Sequence, residues 1–141
     1  MDSASTGEIA VEFRVRYSET DRMGVVYHAN YLVWCEIGRT ELIRARGQSY
    51  AELEKEGVIL AVADAAIRYR AAARYDDLIR VVARIDEIRS RTITFGYTIS
   101  RVGSDDERSV LATATTMLIA LDAESRPRTL PLDLIDRLRN E

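Results

Sequence analysis

The spacing of apolar positions along the chain changes twice. Over residues 8–18 it alternates, with Phe13, Val15 and Tyr17 on one face and Arg14 and Arg16 on the other, the pattern of a strand with one side buried. Over residues 30–46 it becomes helical, but Tyr31, Leu32, Val33, Trp34, Cys35, Ile37, Leu42 and Ile43 cover far more than one stripe. Such a helix is expected to be wrapped largely by protein, its amino-terminal half most deeply. Gly38 in mid-helix costs up to about 1 kcal/mol against Ala, which the close passage of another backbone would justify. Gly47 reads as a left-handed C-cap. Residues 49–56 read as a short amphipathic helix that opens on a Ser49/Glu52 capping box and stops at Gly57.

From residue 58 the period falls to two. Residues 58–71, 78–89, 92–102 and 108–121 each have strand character: Ile79, Val81, Ala83 and Ile85 face one way, and Ile93, Phe95, Tyr97 and Ile99 alternate with Thr92, Thr94, Thr98 and Ser100. The breaks at 72–77, 90–91 and 103–106 are short, which predicts antiparallel hairpins between neighbours. Pro131 opens a last helix over residues 132–138, with Leu132, Leu134 or Ile135, and Leu138 toward the body. An apolar helix followed by a run of antiparallel strands is most economically satisfied by a sheet that curls around the helix, an α+β architecture. Residues 1–8 are small and polar and read as a disordered start; residues 9–141 hold enough apolar chain for one core and not two.

Composition narrows the class of partner. With 20 basic and 23 acidic residues the net charge is −3, which argues against nucleic acid or an anionic membrane as the main partner. No apolar run reaches the roughly 20 residues a membrane span needs. One cysteine, Cys35, excludes an internal disulfide, and the first thirty residues lack the basic start and apolar core of a signal peptide, so the expected compartment is the cytoplasm. One His and no cysteine pair leave no ligand set for a metal. No cofactor is expected.

The candidate chemistry is concentrated in residues 17–34, YSETDRMGVVYHANYLVW, which hold the only His, a dense aromatic cluster and an acid just before a Gly turn. Asn30 is a reasonable N-cap for the apolar helix. The stretch therefore brings a carboxylate, Asp21, near the positive end of a helix dipole. Tyr27 and Tyr31 read first as core aromatics. Cys35 has no candidate base nearby in sequence and is not read as a nucleophile.

The stretch YSETDRMGVVYHANYLVWCEIGRTELIR, with the later IRYRAAARYDDLIRV and the strand–strand–strand–helix tail, resembles the hotdog-fold acyl-CoA thioesterases, specifically the YbgC and 4-hydroxybenzoyl-CoA thioesterase group. The likeness covers residues 9–138. It implies a five-stranded antiparallel sheet around a central helix, a dimer formed by edge pairing and often a homotetramer, with active sites at the subunit interface. It implies that Asp21 is the catalytic carboxylate and that the amide of His28 polarises the thioester carbonyl; the His28 side chain, read from the residues alone, is a packed or capping histidine or a direct participant. Ala72 departs from the pattern, standing where a Pro often precedes the Ala-x-x-Asp segment matched by Ala73–Asp76.

The expected reaction is hydrolysis of an acyl-CoA or acyl-carrier-protein thioester to free acid and thiol. It needs an oxyanion site, worth roughly 3–4 kcal/mol per donor in other hydrolases, and either a nucleophile or a base, and Asp21 can serve as either. Tyr27, Asn30 and Tyr31 are candidate substrate contacts, and Arg74, Arg89 and Arg91 at strand ends are candidate partners for coenzyme A phosphates. Two other readings stand beside it: an enoyl-thioester hydratase or dehydratase using His28 and an acid, and a non-catalytic acyl-thioester binding module.

Overall fold

The computed structural model describes residues 7–139. Most of the expected disordered start therefore lies outside the described residues, and Gly7 and Glu8 lead directly into the first strand. Five strands, β1 (Ile9–Arg14), β2 (Ile59–Tyr69), β3 (Leu78–Ile88), β4 (Thr92–Val102) and β5 (Arg108–Leu121), form one sheet in the order β1-β3-β4-β5-β2. Every neighbouring pair is antiparallel. Helix α1 (Asn30–Ala45) lies against β1, β3 and β4, followed by α2 (Tyr50–Lys55), and α3 (Leu132–Arg139) closes the chain.

The period-two pattern sorts the strands as the sequence predicts. Ile79, Val81 and Ala83 of β3 and Ile93, Phe95, Tyr97 and Ile99 of β4 are fully buried toward α1, while the alternate residues of β4, Thr92, Thr94 and Thr98, stay partly accessible. On α1 the buried side is Tyr31, Trp34, Cys35, Gly38, Arg39, Leu42 and Ile43. A Cβ added at position 38 would stand 3.0 Å from Val81 Cγ1 and 3.3 Å from Ala83 Cβ. Gly38 thus answers to side chains of β3, not to a passing backbone. Gly47 (φ +86°) ends α1 as predicted, its amide donating to Arg44 O while Gln48 N–H donates to Ile43 O.

Four expectations need correction. Tyr17 does not continue the buried face of β1: the chain turns into a 3-10 turn at Tyr17–Glu19, and Tyr17 is 78% exposed. The 72–77 break is not a hairpin, because β2 pairs with β5 while β3 pairs with β1 and β4. Helix α1 is not wrapped all round, nor deepest at its start. One chain's sheet covers one side along its whole length and leaves Leu32, Val33 and Ile37 at 40%, 44% and 38% exposure. In α3 it is Leu134 and Leu138 that are buried, and Leu132 points to solvent.

Two outcomes follow from this packing. Gly38→Val has to displace Val81 or Ala83 in a filled layer and is expected to lower the unfolding free energy by about 2–3 kcal/mol, read by urea denaturation. Burial pushes the Cys35 thiol up to about 12, so at pH 8 it is un-ionised. The native protein should leave a thiol-specific disulfide reagent unreacted, and the unfolded protein should titrate one thiol per chain.

Candidate active site

The site is assembled around the loop between β1 and α1. Glu19 is 5% exposed. Its carboxylate accepts from the Arg16 amide at 2.8 Å and from the Trp34 indole Nε1 at 2.9 Å. Its carbonyl accepts from the Tyr27 amide at 2.8 Å and the Asn30 side chain at 2.9 Å. Asn30 therefore does not cap α1. Its side chain donates backward to the loop, and the residue in the N-cap position, Ala29, is already helical (φ −66°, ψ −21°). The helical turn in fact begins before Asn30, with the Asn30 amide donating to Tyr27 O at 2.9 Å and the Tyr31 amide to His28 O at 3.3 Å.

Those two bonds fix the direction of the preceding peptides. In a trans peptide the N–H points opposite to the C=O of the same unit. With the carbonyls of Tyr27 and His28 drawn into the helix, the amides of His28 and Ala29 face out from its amino end. Among the described residues neither amide has an acceptor within the chain. They are the orphan donors of a helix start, at the positive end of its dipole.

Asp21 sits in a short loop closed by the Thr20–Val26 bridge. Its amide donates to Val25 O at 2.8 Å, its carbonyl accepts from Gly24 at 3.1 Å, and its Oδ1 accepts from the Met23 amide at 2.8 Å. Gly24, at φ +81°, supplies the left-handed conformation this turn requires. The carboxylate is thus held by one oxygen and presents the other.

A cavity of about 270 Å³ opens beside the start of α1, lined by Val26, His28, Tyr31, Tyr69, Arg70, Ala71 and Ala72. His28 and Tyr31 meet in it, and the Tyr27 ring lies 4.5 Å from the His28 ring. Asp21, Asn30, Arg74, Arg89 and Arg91 are not part of its lining. Arg74 precedes β3, whereas Arg89 and Arg91 follow it, and an eleven-residue strand puts these ends roughly 35 Å apart. The three arginines therefore do not form one phosphate site within a chain, and Arg89 is paired with Glu87 at 3.1 Å.

Sequence reasoning passed over Tyr69, Arg70 and the anchoring role of Glu19. Tyr69 donates its hydroxyl to His28 O at 2.9 Å, and its ring stands edge-on to Tyr31 at 5.2 Å. The Tyr31 hydroxyl in turn accepts from the Ala73 amide at 3.0 Å. Burial raises the Tyr31 phenol above its ordinary value, and partial burial does the same for Tyr69, which is 46% exposed. The available signal was the IRYR segment itself, whose inward alternation puts Ile67 and Tyr69 on the helix side.

Further along the same side, Leu32, Val33, Glu36 and Arg39 of α1 and Val62, Ala65 and Thr116 of the sheet line a mostly apolar groove of about 320 Å³. A carboxylate with a free oxygen, two outward amides at a helix start and an apolar groove along that helix are the parts required to bind and hydrolyse an acyl ester or thioester.

Comparison with known proteins agrees. The model of the thioesterase-like superfamily matches residues 15–138. The putative acyl-CoA thioesterase YneP of Bacillus subtilis is 42% identical over 114 residues, 81% of this chain and 80% of that protein. The acyl-CoA thioester hydrolase YbgC of Escherichia coli O157:H7 is 32% identical, over 86% of this chain and 89% of its own. Among solved structures, the DHNA-CoA thioesterase of Staphylococcus aureus superposes with a TM-score of 0.85 at 30% identity, covering 92% of this chain and 87% of that one. The chain belongs to the thioesterase-like superfamily and has its hotdog fold.

Proposed function

We propose that this protein hydrolyses acyl-CoA thioesters to the free acid and coenzyme A. The observation that carries the reading is the pair of outward amides at His28 and Ala29, placed at the end of the loop that fixes Asp21. The thioester carbonyl oxygen accepts from these amides. Asp21, through its free oxygen, takes a proton from water as the water adds to the carbonyl carbon. Collapse of the tetrahedral oxyanion breaks the carbon–sulfur bond, and the thiolate recovers the proton. In the alternative route an Asp21 oxygen attacks the carbonyl carbon, and the carbon–sulfur bond breaks to expel the coenzyme A thiolate and leave a mixed anhydride. Water then adds to the Asp21 carboxyl carbon of that anhydride, releasing the free acid and giving the thiolate its proton. The acyl group lies along the groove between α1 and β2, with Tyr27 and Tyr31 near the reacting end. An acid and backbone dipoles meet both requirements, so no metal or cofactor is invoked.

The assembly proposed is a dimer joined through β2, with dimers pairing into a tetramer, in the cytoplasm. No helix among the described residues is long and apolar enough to cross a membrane. The β2 segment ILAVADAAIRY carries only Asp64 and Arg68 as charges and pairs on one side only, with β5. Val62 on it is 51% exposed. An eleven-residue edge with two charges and one bulge, between Val62 and Asp64, leaves most of its ladder groups open to a further strand, and a second copy of β2 fits it. Arg74, Arg89 and Arg91 are proposed as phosphate contacts of coenzyme A, contributed by different subunits.

The deciding assay follows thiol release from short, long and aromatic acyl-CoA thioesters, and from acyl-carrier-protein thioesters, in the presence of EDTA. Wild type should turn over at least one of the acyl-CoA substrates, and Asp21→Asn should lose about 10²–10⁴-fold in kcat while staying folded; equal rates for the two would end the role given to Asp21. A single turnover in ¹⁸O-labelled water tests the second route, since label found in Asp21 can enter only by water adding to the Asp21 carbon of the anhydride. Light scattering should give a mass two or four times the 15.9 kDa of the chain, and Val62→Lys should lower it toward one, by putting a charge in the edge.

A further inference from the structure

We propose that Tyr69 is a positioning residue for the oxyanion, acting through the His28–Ala29 peptide to fix the Ala29 amide. The proposal rests on the thioesterase reading above and deepens it. The His28 carbonyl receives two donors, the Tyr31 amide at 3.3 Å and the Tyr69 hydroxyl at 2.9 Å. The backbone bond is long and by itself leaves the His28–Ala29 peptide loosely held, being an i to i−3 contact in the first turn of a helix. The tyrosine bond is the shorter and reaches across from β2, an element of the sheet. Because the carbonyl and the amide belong to one planar unit, holding the oxygen sets the direction of the Ala29 N–H. The same bond withdraws electron density from the amide and makes its proton a better donor, as in any chain of hydrogen bonds.

Tyr69 is itself held in place. Its ring stands edge-on to Tyr31 at 5.2 Å and to His28 at 6.4 Å, and Tyr31 is 2% exposed. The chain beyond Tyr69 is fastened as well, the amides of Arg70 and Ala71 donating to Leu111 O at 2.8 and 3.2 Å. The hydroxyl is therefore presented by the sheet to the helix start, and the peptide it holds cannot turn as charge develops on the carbonyl of a bound thioester. Donors fixed before reaction stabilise a transition state without the cost of reorganising. Tyr69 acts through the peptide and does not touch the reacting atoms.

The test is Tyr69→Phe, which keeps the ring and removes the hydroxyl. On an acyl-CoA that wild type hydrolyses, kcat should fall about tenfold, less than for outright loss of an oxyanion donor, while KM stays within about twofold of wild type, the mark of an interaction expressed in the transition state. In the protein without substrate, the Ala29 amide nitrogen resonance should move upfield, reporting loss of the bond to the preceding carbonyl. A wild-type kcat in Tyr69→Phe beside an inactive Asp21→Asn overturns the proposal and leaves the thioesterase reading standing. A change confined to KM overturns it too, making Tyr69 a binding residue, as does an unmoved Ala29 resonance. A wild type that releases no thiol from any thioester overturns the reading beneath, and the proposal with it.

Discussion

A buried carboxylate, Glu19, is the constraint on which the site depends. Left without partners in the interior, an ionised carboxylate costs several kcal/mol. Glu19 is accommodated because the Arg16 amide and the Trp34 indole both donate to it, and the Arg16 guanidinium stands 3.5 Å away. Charge-assisted bonds of this kind are about twice as strong as neutral ones. They tie the 3-10 turn after β1 to the second turn of α1, and Glu19 O ties the same turn to Tyr27 and Asn30. The loop carrying Asp21 and the start of the helix are thereby both tied to Glu19.

The helix is as firmly set against the sheet as the loop is against the helix. Gly38 lets α1 come within contact of Val81 and Ala83. Trp34 packs edge-on to Phe13 of β1 at 5.4 Å and tilted against Tyr31 at 4.8 Å, and Tyr31 meets Tyr69. A continuous run of aromatic rings thus leads from the first strand to the edge strand past the amino end of α1. Interiors packed to this density transmit position well. The orientation of two backbone amides is accordingly a property of the whole layer.

Local chemistry in the sequence was readable, and partnerships at long range were not. Strand and helix limits followed from period to within a residue or two, except that the first strand, expected over 8–18, stops at Arg14 before a 3-10 turn, and Gly47 and Gly57 followed from helix-stop rules. Asn30 satisfied every local rule for an N-cap, but the Glu19 carbonyl, eleven residues back, claimed its side chain. The hairpin expected at 72–77 failed because strand order is decided by which edges remain open, and the shortness of a connection does not reveal that. Tyr69 was passed over because its hydroxyl finds its partner 41 residues away in the chain. The arginines were grouped by being at strand ends, and only the length of β3 shows that the ends are different ones.

The exposed side of α1 and the open edge of β2 are two aspects of one deficit. Leu32 and Val33 of the helix and Val62 and Ala65 of the strand line the same groove. Pairing β2 with a second copy would bring the partner's atoms to the rim of that groove and remove apolar surface of both kinds from water, at about 25 cal/mol per Å². On the proposed reading the groove then acquires its far wall only in the assembled protein, and its depth, and with it the length of acyl chain it admits, is decided by subunit contact. Substitutions of Val62 and Ala65, at the rim of that groove, should therefore alter acyl preference and assembly together, whereas changes that act through the His28 and Ala29 amides should alter rate without changing preference.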